Sequence, residues 1–176
     1  VIATDISSAS LLLGQARADR AAVRLQLLVA DAEALPIRDG AVDVVTSAGV
    51  LYCLDIRALL PEVTRVLSSK GNFILVDSLN HNIVYRLNRV VGRLRGRRTA
   101  RATTHIPTMD TIALMGEYFQ KVKVEYFGVW TFVWPVARRV LGSSRAVRLL
   151  QALEPPQRGL ERYAFKVVVA ACEPRR

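Results

Sequence analysis

Leu25-Gln26-Leu27-Leu28-Val29-Ala30-Asp31 is a short, mostly apolar run closed by an acid. It repeats the plan of Val1-Ile2-Ala3-Thr4-Asp5, which is β-branched and also ends on an acid. A helical pattern lies between them: Ser7 or Ser8 can cap it, and Leu11, Leu12, Leu13 and Ala16 follow. Two buried-type strands with a helix between them make a parallel pair, because only a crossover helix joins parallel strands over so short a span.

Further along, the alternation continues. Arg38-Asp39-Gly40 marks a turn. Val42–Ala48 is a third apolar run, interrupted by Asp43 and ending in small residues. Ile56–Leu67 has helical spacing, with Leu59, Leu60, Val63, Val66 and Leu67 on one face. Lys70-Gly71 reads as its C-terminal stop, and Asn72–Asp77 as a fourth strand. This is an α/β pattern: a doubly wound, Rossmann-like, mostly parallel sheet with helices on both faces. Ligands of such sheets bind at the carboxyl ends of the strands, where Asp5, Asp31 and Ser47 fall.

The second half differs in composition. The net charge is +10, yet residues 1–80 carry seven Lys/Arg against nine Asp/Glu. Residues 81–105 carry seven Arg and no acid. A basic helix is expected over Asn82–Arg101, with Ile83, Val84, Leu87, Val90, Val91 and Leu94 on one side. A short helix is expected over Asp110–Tyr118, capped by Thr108, and a strand over Lys121–Tyr126. Ser143–Leu153 reads as a helix and Arg162–Ala171 as a final strand, with a loop around Pro155-Pro156. The aromatic run Phe127–Trp134 could line a pocket or an interface, with core packing the leading expectation. The chain reads as one domain: a cofactor-binding half (1–79), a basic helical lid or insertion (80–120), and C-terminal strands and helix (121–176).

Cys53 and Cys172 lie far apart outside any Cys-x-x-Cys pair, so neither a zinc site nor a disulfide framework is indicated. A reducing, cytoplasmic setting is the expectation. The stretch Tyr126–Ala137 is too short to span a bilayer, which takes about 20 apolar residues.

Two carboxylates at adjacent strand ends suit a nucleoside. One can accept from both ribose hydroxyls (Asp5) and the other from an adenine amine (Asp31). The alternative is that each only caps the following helix.

Thr4-Asp5-Ile6-Ser7, Ala30-Asp31-Ala32-Glu33-Ala34-Leu35-Pro36 and Asp39-Gly40-Ala41-Val42-Asp43-Val44-Val45-Thr46-Ser47 resemble three successive motifs of class I S-adenosylmethionine-dependent methyltransferases. Glu62-Val63-Thr64-Arg65-Val66-Leu67 and Lys70-Gly71-Asn72-Phe73 extend the likeness, which covers residues 1 to about 79 and is nearest the "type 11" small-molecule group. The resemblance implies S-adenosyl-L-methionine as cofactor. It implies Asp5 on the ribose, Ile6 against adenine, and Ser7 beside them. It places Asp31, Ala32 and Glu33 at the adenine edge, and Ser47, Ala48 and Gly49 near the methionine end. Tyr52 stands where the family often has an aromatic or His near the reaction centre, although helix-start packing explains it equally well. His105 and Tyr52 are the catalytic candidates; His81 and Tyr85 are weaker ones.

The family also has a first strand and glycine-rich loop ahead of the strand ending at Asp5. That strand sits between the strands ending at Asp5 and Ser47. Neither is present here, so a gap is expected in the middle of the sheet, with poor folding or weak cofactor binding by the chain alone. Because the chain opens in a strand without Met, an upstream segment is expected to have been lost or left out.

The expected activity is methyl transfer to a small-molecule or lipid-like acceptor. The arginines Arg86, Arg89, Arg93, Arg95, Arg97, Arg98 and Arg101 admit three readings: a solvated lid face, contact with an anionic membrane or lipid-like substrate, or a phosphate-bearing ligand. Apart from Tyr85 no aromatic interleaves them, which disfavours nucleic acid. Two other functions compete. One is a truncated, inactive remnant that binds membranes or acidic partners through its basic helix. The other is a nicotinamide-dependent oxidoreductase, although no Tyr here has Lys four residues on, as a short-chain dehydrogenase would require.

Overall fold

The computed structural model describes residues 1–94, 106–153 and 159–175. Two parallel strand pairs open the chain. Strand β1 (Ile2–Asp5) leads through helix α1 (Ser8–Arg20) to strand β2 (Gln26–Val29), and β1 and β2 pair in parallel from Ile2↔Gln26 to Asp5↔Val29. Strand β3 (Val42–Ala48) leads through helix α2 (Ile56–Val66) to strand β4 (Leu67–Ser78), again in parallel. Helix α3 (Ile83–Leu94), helix α4 (Met109–Tyr118), strand β5 (Phe119–Phe127), helix α5 (Trp134–Leu141), helix α6 (Ser143–Leu153) and strand β6 (Lys166–Pro174) follow.

The strands form two sheets: β1-β2, and β3-β4-β6-β5. The two C-terminal strands join antiparallel, so the larger sheet is mixed. β1 and β3 each pair on one side only. Among the described residues the two parallel pairs do not share a ladder. The outer edge of β5 is different: Lys121 and Lys123 stand along it, paired with Glu173 and Glu125, and charges of this kind blunt an edge.

The core belongs to the larger sheet. Leu59, Leu60 and Val63 of α2 and Met115 of α4 pack over Phe73 and Leu75 of β4 and Val167, Val169 and Ala171 of β6. Phe73 and Phe119 stack with centroids 6.2 Å apart. Residues 73, 75 and 77 share one face by strand alternation, and all three are buried. The small sheet buries little of its own: α1 contributes Leu11 and Ala18, while Leu12 and Leu13 are both 66% exposed.

Three expectations are corrected. Lys70-Gly71 does not end a helix. The chain turns extended at Leu67 (φ −71°, ψ 142°), and Gly71 lies inside β4. Between Val42↔Leu67 and Val44↔Asn72 the register slips, and the surplus β4 residues fold back over Leu67. A Cβ on Gly71 would lie 2.8 Å from Leu67 Cδ2 and 2.9 Å from the Ser68 carbonyl, so Gly serves close approach there. The run Phe127–Trp134 is core only in part: Val129 packs against the core, Phe127 and Phe132 are exposed, and the run's end starts α5, where Pro135 suits the first helical turn. The final strand begins at Lys166, because Glu161–Tyr163 forms a 3₁₀ turn. Thr108 does cap α4, through a reciprocal box with Thr111.

Candidate active site

Asp5 is the last residue of β1, and Asp31 lies two residues beyond β2. Each carboxylate uses one oxygen on a backbone amide two residues on: Asp5 Oδ1 accepts from Ser7 N–H (2.8 Å) and Asp31 Oδ1 from Glu33 N–H (3.0 Å). These bonds fix the carboxylates as Asx turns. Helix capping falls to Ser7, whose hydroxyl accepts from Ser10 N–H. Ile6 projects next to them and is 75% exposed, an apolar platform at the strand end.

The segment after β2 has little regular structure, and Arg65 holds it. The Arg65 guanidinium donates through Nε to Glu62 Oε2 (2.8 Å) and through Nη1 to the Ile37 carbonyl (2.8 Å) and Asp39. Nη2 donates to the Leu35 carbonyl (2.9 Å) and Glu62 Oε1 (2.7 Å). An arginine has five N–H donors, and all five are engaged. Glu62 Oε1 also accepts from Leu35 N–H at 2.5 Å. The Arg65 bond holds the Glu62 carboxyl below its ordinary value of 4.5, and the Leu35 amide acts in the same direction against burial. Arg65 is correspondingly held in its charged form by Glu62 and Asp39.

A pH dependence follows from that depressed value. Glu62 favours the folded state above its unfolded pKa, and this contribution disappears as pH falls through the folded pKa. Urea unfolding of the chain is expected to show stability falling below about pH 4.5. Glu62→Gln should be less stable at pH 7 and show a shallower fall.

Glu33 ties the two sheets together. It follows β2, and its Oε1 accepts from Asp55 N–H (2.6 Å), which follows β3. Ala32 packs against the core of the larger sheet. The carboxyl ends of both parallel pairs therefore meet on one edge.

The β3 end lies on this edge. Ser47 pairs with Leu75, and its hydroxyl is buried with no hydrogen-bond partner among the described residues. Gly49 has φ +68°, a conformation that favours glycine, and its N–H donates to the Val76 carbonyl (2.9 Å). Tyr52 is 38% exposed on the 3₁₀ turn Leu51–Cys53. Asp77, whose role sequence reading missed, organises this turn. It is 3% exposed; Oδ2 accepts from Leu51 N–H (3.0 Å) and Oδ1 from Ser78 N–H (2.6 Å). Its signal was parity: Asp77 shares the buried strand face with Phe73 and Leu75.

The catalytic candidates fare differently. His105 lies outside the described residues, as do Arg95, Arg97, Arg98 and Arg101. His81 Nε2 accepts from Met109 N–H (3.4 Å) at the start of α4, a structural use. Tyr85 stacks edge-on against Phe165, with centroids 4.7 Å apart. Among the described candidates, Tyr52 stands on the turn that follows Ser47 and Gly49.

The adenosine part of S-adenosylmethionine fits the residues present. Among the described residues, Asp5 and Asp31 each keep a second oxygen, Ile6 offers an exposed apolar surface, and Ser47 holds a buried hydroxyl without a partner.

Parallel strand pairs with acids at their carboxyl ends define a Rossmann-like α/β protein. Residues 1–75 match the family model described as a methyltransferase domain. The chain is 43% identical over 81 residues (44% of this chain, 32% of the relative) to a ubiquinone/menaquinone biosynthesis C-methyltransferase of Acidiphilium cryptum. The enzyme of the same name from Methylobacterium nodulans is 38% identical over 92 residues (51% of this chain, 36% of the relative). The chain thus spans about a third of the length of these curated relatives.

Two solved structures show the fold. A geranyl diphosphate C-methyltransferase of Streptomyces coelicolor, in complex with S-adenosyl-L-homocysteine, aligns with TM-score 0.56 and 15% identity, covering 98% of this chain and 64% of that one. A protein of Pyrococcus horikoshii aligns with TM-score 0.62 and 16% identity, covering 99% and 73%.

Proposed function

We propose that the chain is part of an S-adenosylmethionine-dependent methyltransferase acting on a small-molecule or lipid-like acceptor. The carrying observation is the pair Asp5 and Asp31, each held by one oxygen and free through the other, on an edge shared with Ser47, Gly49 and Tyr52. In this reading Asp5 binds the ribose hydroxyls and Asp31 the adenine amine, with Ala32 and Glu33 alongside. Ile6 and Ser7 border the ring, and Ser47, Ala48 and Gly49 line the methionine end. Bound S-adenosylmethionine supplies an already activated methyl group, so the chain's task is alignment and exclusion of water. Tyr52 and His105 are the candidates to touch the acceptor.

A lipid-like acceptor is supported by α3, where Leu87, Val90 and Leu94 are exposed beside exposed Arg86. Contact of Arg86–Arg101 with a membrane surface, by a protein otherwise in the cytoplasm, accords with that face. No helix among the described residues is long and apolar enough to cross a membrane.

The test is calorimetric titration with S-adenosylhomocysteine. It uses the chain itself and a version with an apolar strand and glycine-rich loop joined ahead of Val1. The extended form is expected to bind, and Asp5→Ala to weaken binding about 100-fold, the effect of two hydrogen bonds to a charged acceptor. A folded extended form that binds no S-adenosylhomocysteine would overturn the proposal.

A further inference from the structure

Helices α5 and α6 form a two-helix corner around Gly142, whose φ of +75° suits glycine. Almost nothing in it is covered. Each helix has a single buried residue, Ala137 in α5 and Ala146 in α6. The larger apolar side chains face solvent: Val136 is 66% and Val140 74% exposed, and Leu141, Val147 and Leu149 are exposed too.

This apolar surface is organised. At 100° per residue, Trp134, Val136, Ala137, Val140 and Leu141 fall within about half the circumference of α5, and Arg138 and Arg139 lie outside that arc. In α6, Ala146, Val147, Leu149, Leu150 and Leu153 form the matching arc, flanked by Arg145, while Arg148 lies on the opposite face. Residues 126–153 contain four arginines and no Asp or Glu. A solvated helix pair would carry mixed charge and few exposed valines. A protein-docking surface of this size would be expected to carry some acid.

We infer that the α5–α6 corner is a docking element for an anionic lipid surface. The apolar arcs enter the headgroup boundary, and Arg138, Arg139 and Arg145 reach the lipid phosphates on their extended stems. Eight and eleven residues are too few to span, so both helices lie along the surface. The inference is independent of cofactor binding and concerns a different segment from Arg86–Arg101.

Vesicle co-sedimentation of the 176-residue chain tests it. Vesicles of phosphatidylglycerol with phosphatidylcholine are expected to retain the chain, and pure phosphatidylcholine to retain little. The chain's two tryptophans, Trp130 and Trp134, stand at the foot of α5, so their emission should shift to the blue on binding. Arg138→Gln/Arg139→Gln should lower partitioning about 30-fold, given the worth of each basic residue at such a surface. Val136→Ser/Val140→Ser should lower it about tenfold. Circular dichroism should be unchanged in both, because all four side chains are exposed.

Three results would overturn the inference. One is equal binding to both vesicle types. Another is vesicle binding unaffected by either double variant, which would assign it to the arginines of residues 86–101. The last is lipid-independent self-association, seen by sedimentation equilibrium and lost in Val136→Ser/Val140→Ser, which would make a second copy the occupant.

Discussion

Asp77→Ala is expected to lower the unfolding free energy by about 3 kcal/mol, read from the urea midpoint at unchanged slope. The carboxylate is the acceptor for Leu51 N–H and Ser78 N–H at a site that water does not reach. Removing it leaves both amides unpaired in the interior, and each buried orphan donor costs about 1–3 kcal/mol. Asp77→Asn should be intermediate. An amide keeps one acceptor oxygen but sets an NH₂ against the second backbone N–H. The effect should also reach the site, because Leu51 begins the turn that carries Tyr52. In the extended form, Asp77→Asn should change the environment of Tyr52 while the adenosine end still binds. A variant as stable as the parent would show that the two amides find other acceptors.

The second large effect is a difference within the molecule. Backbone amides of β4 and β6 are expected to exchange with solvent about 1,000-fold more slowly than those of β1 and β2, measured by hydrogen exchange at neutral pH. β4 and β6 are central strands lined by Phe73, Leu75, Val167 and Val169, all buried in the main core. The core cluster contains no residue of β1, α1 or β2. A two-stranded sheet is marginal without further strands or a large packed face, and α1 leaves Leu12 and Leu13 outside. Joining an apolar strand ahead of Val1 should close most of the difference, because it would pair with both open edges. Uniform exchange across both sheets would contradict this picture.

How much of this was legible beforehand depends on which interactions are local. The alternation of Val1–Asp5, Leu25–Asp31, Val42–Ala48 and Asn72–Asp77 with helical spacing carried the fold class, because period and punctuation are local signals. The acids Asp5 and Asp31 were legible for the same reason, as each closes its own strand. The bulge at Gly71 was not: in sequence, Lys-Gly after a helix looks like a stop, and only the slipped register against β3 shows otherwise. The corner at Trp134–Leu153 was half missed. An aromatic run suggests core, and whether anything lies opposite it is a tertiary fact. Arg65 appeared only as part of a motif, since its partners Leu35, Ile37 and Asp39 are 26 to 30 positions away.

The Arg65 network also bears on how a ligand would meet this edge. A segment of irregular backbone normally loses its freedom when the ligand arrives, and affinity falls by that entropy. Here the stretch from Leu35 to Asp39 is already immobilised by three donors from one side chain on a helix. Its disorder is surrendered when α2 docks. The two proposed nucleoside contacts are therefore unequal in kind. Asp31 leads into this braced segment, whereas Asp5 leads into α1, which buries only Leu11 and Ala18. Under the proposed function, a base would meet a more preformed surface on the Asp31 side than a ribose would on the Asp5 side.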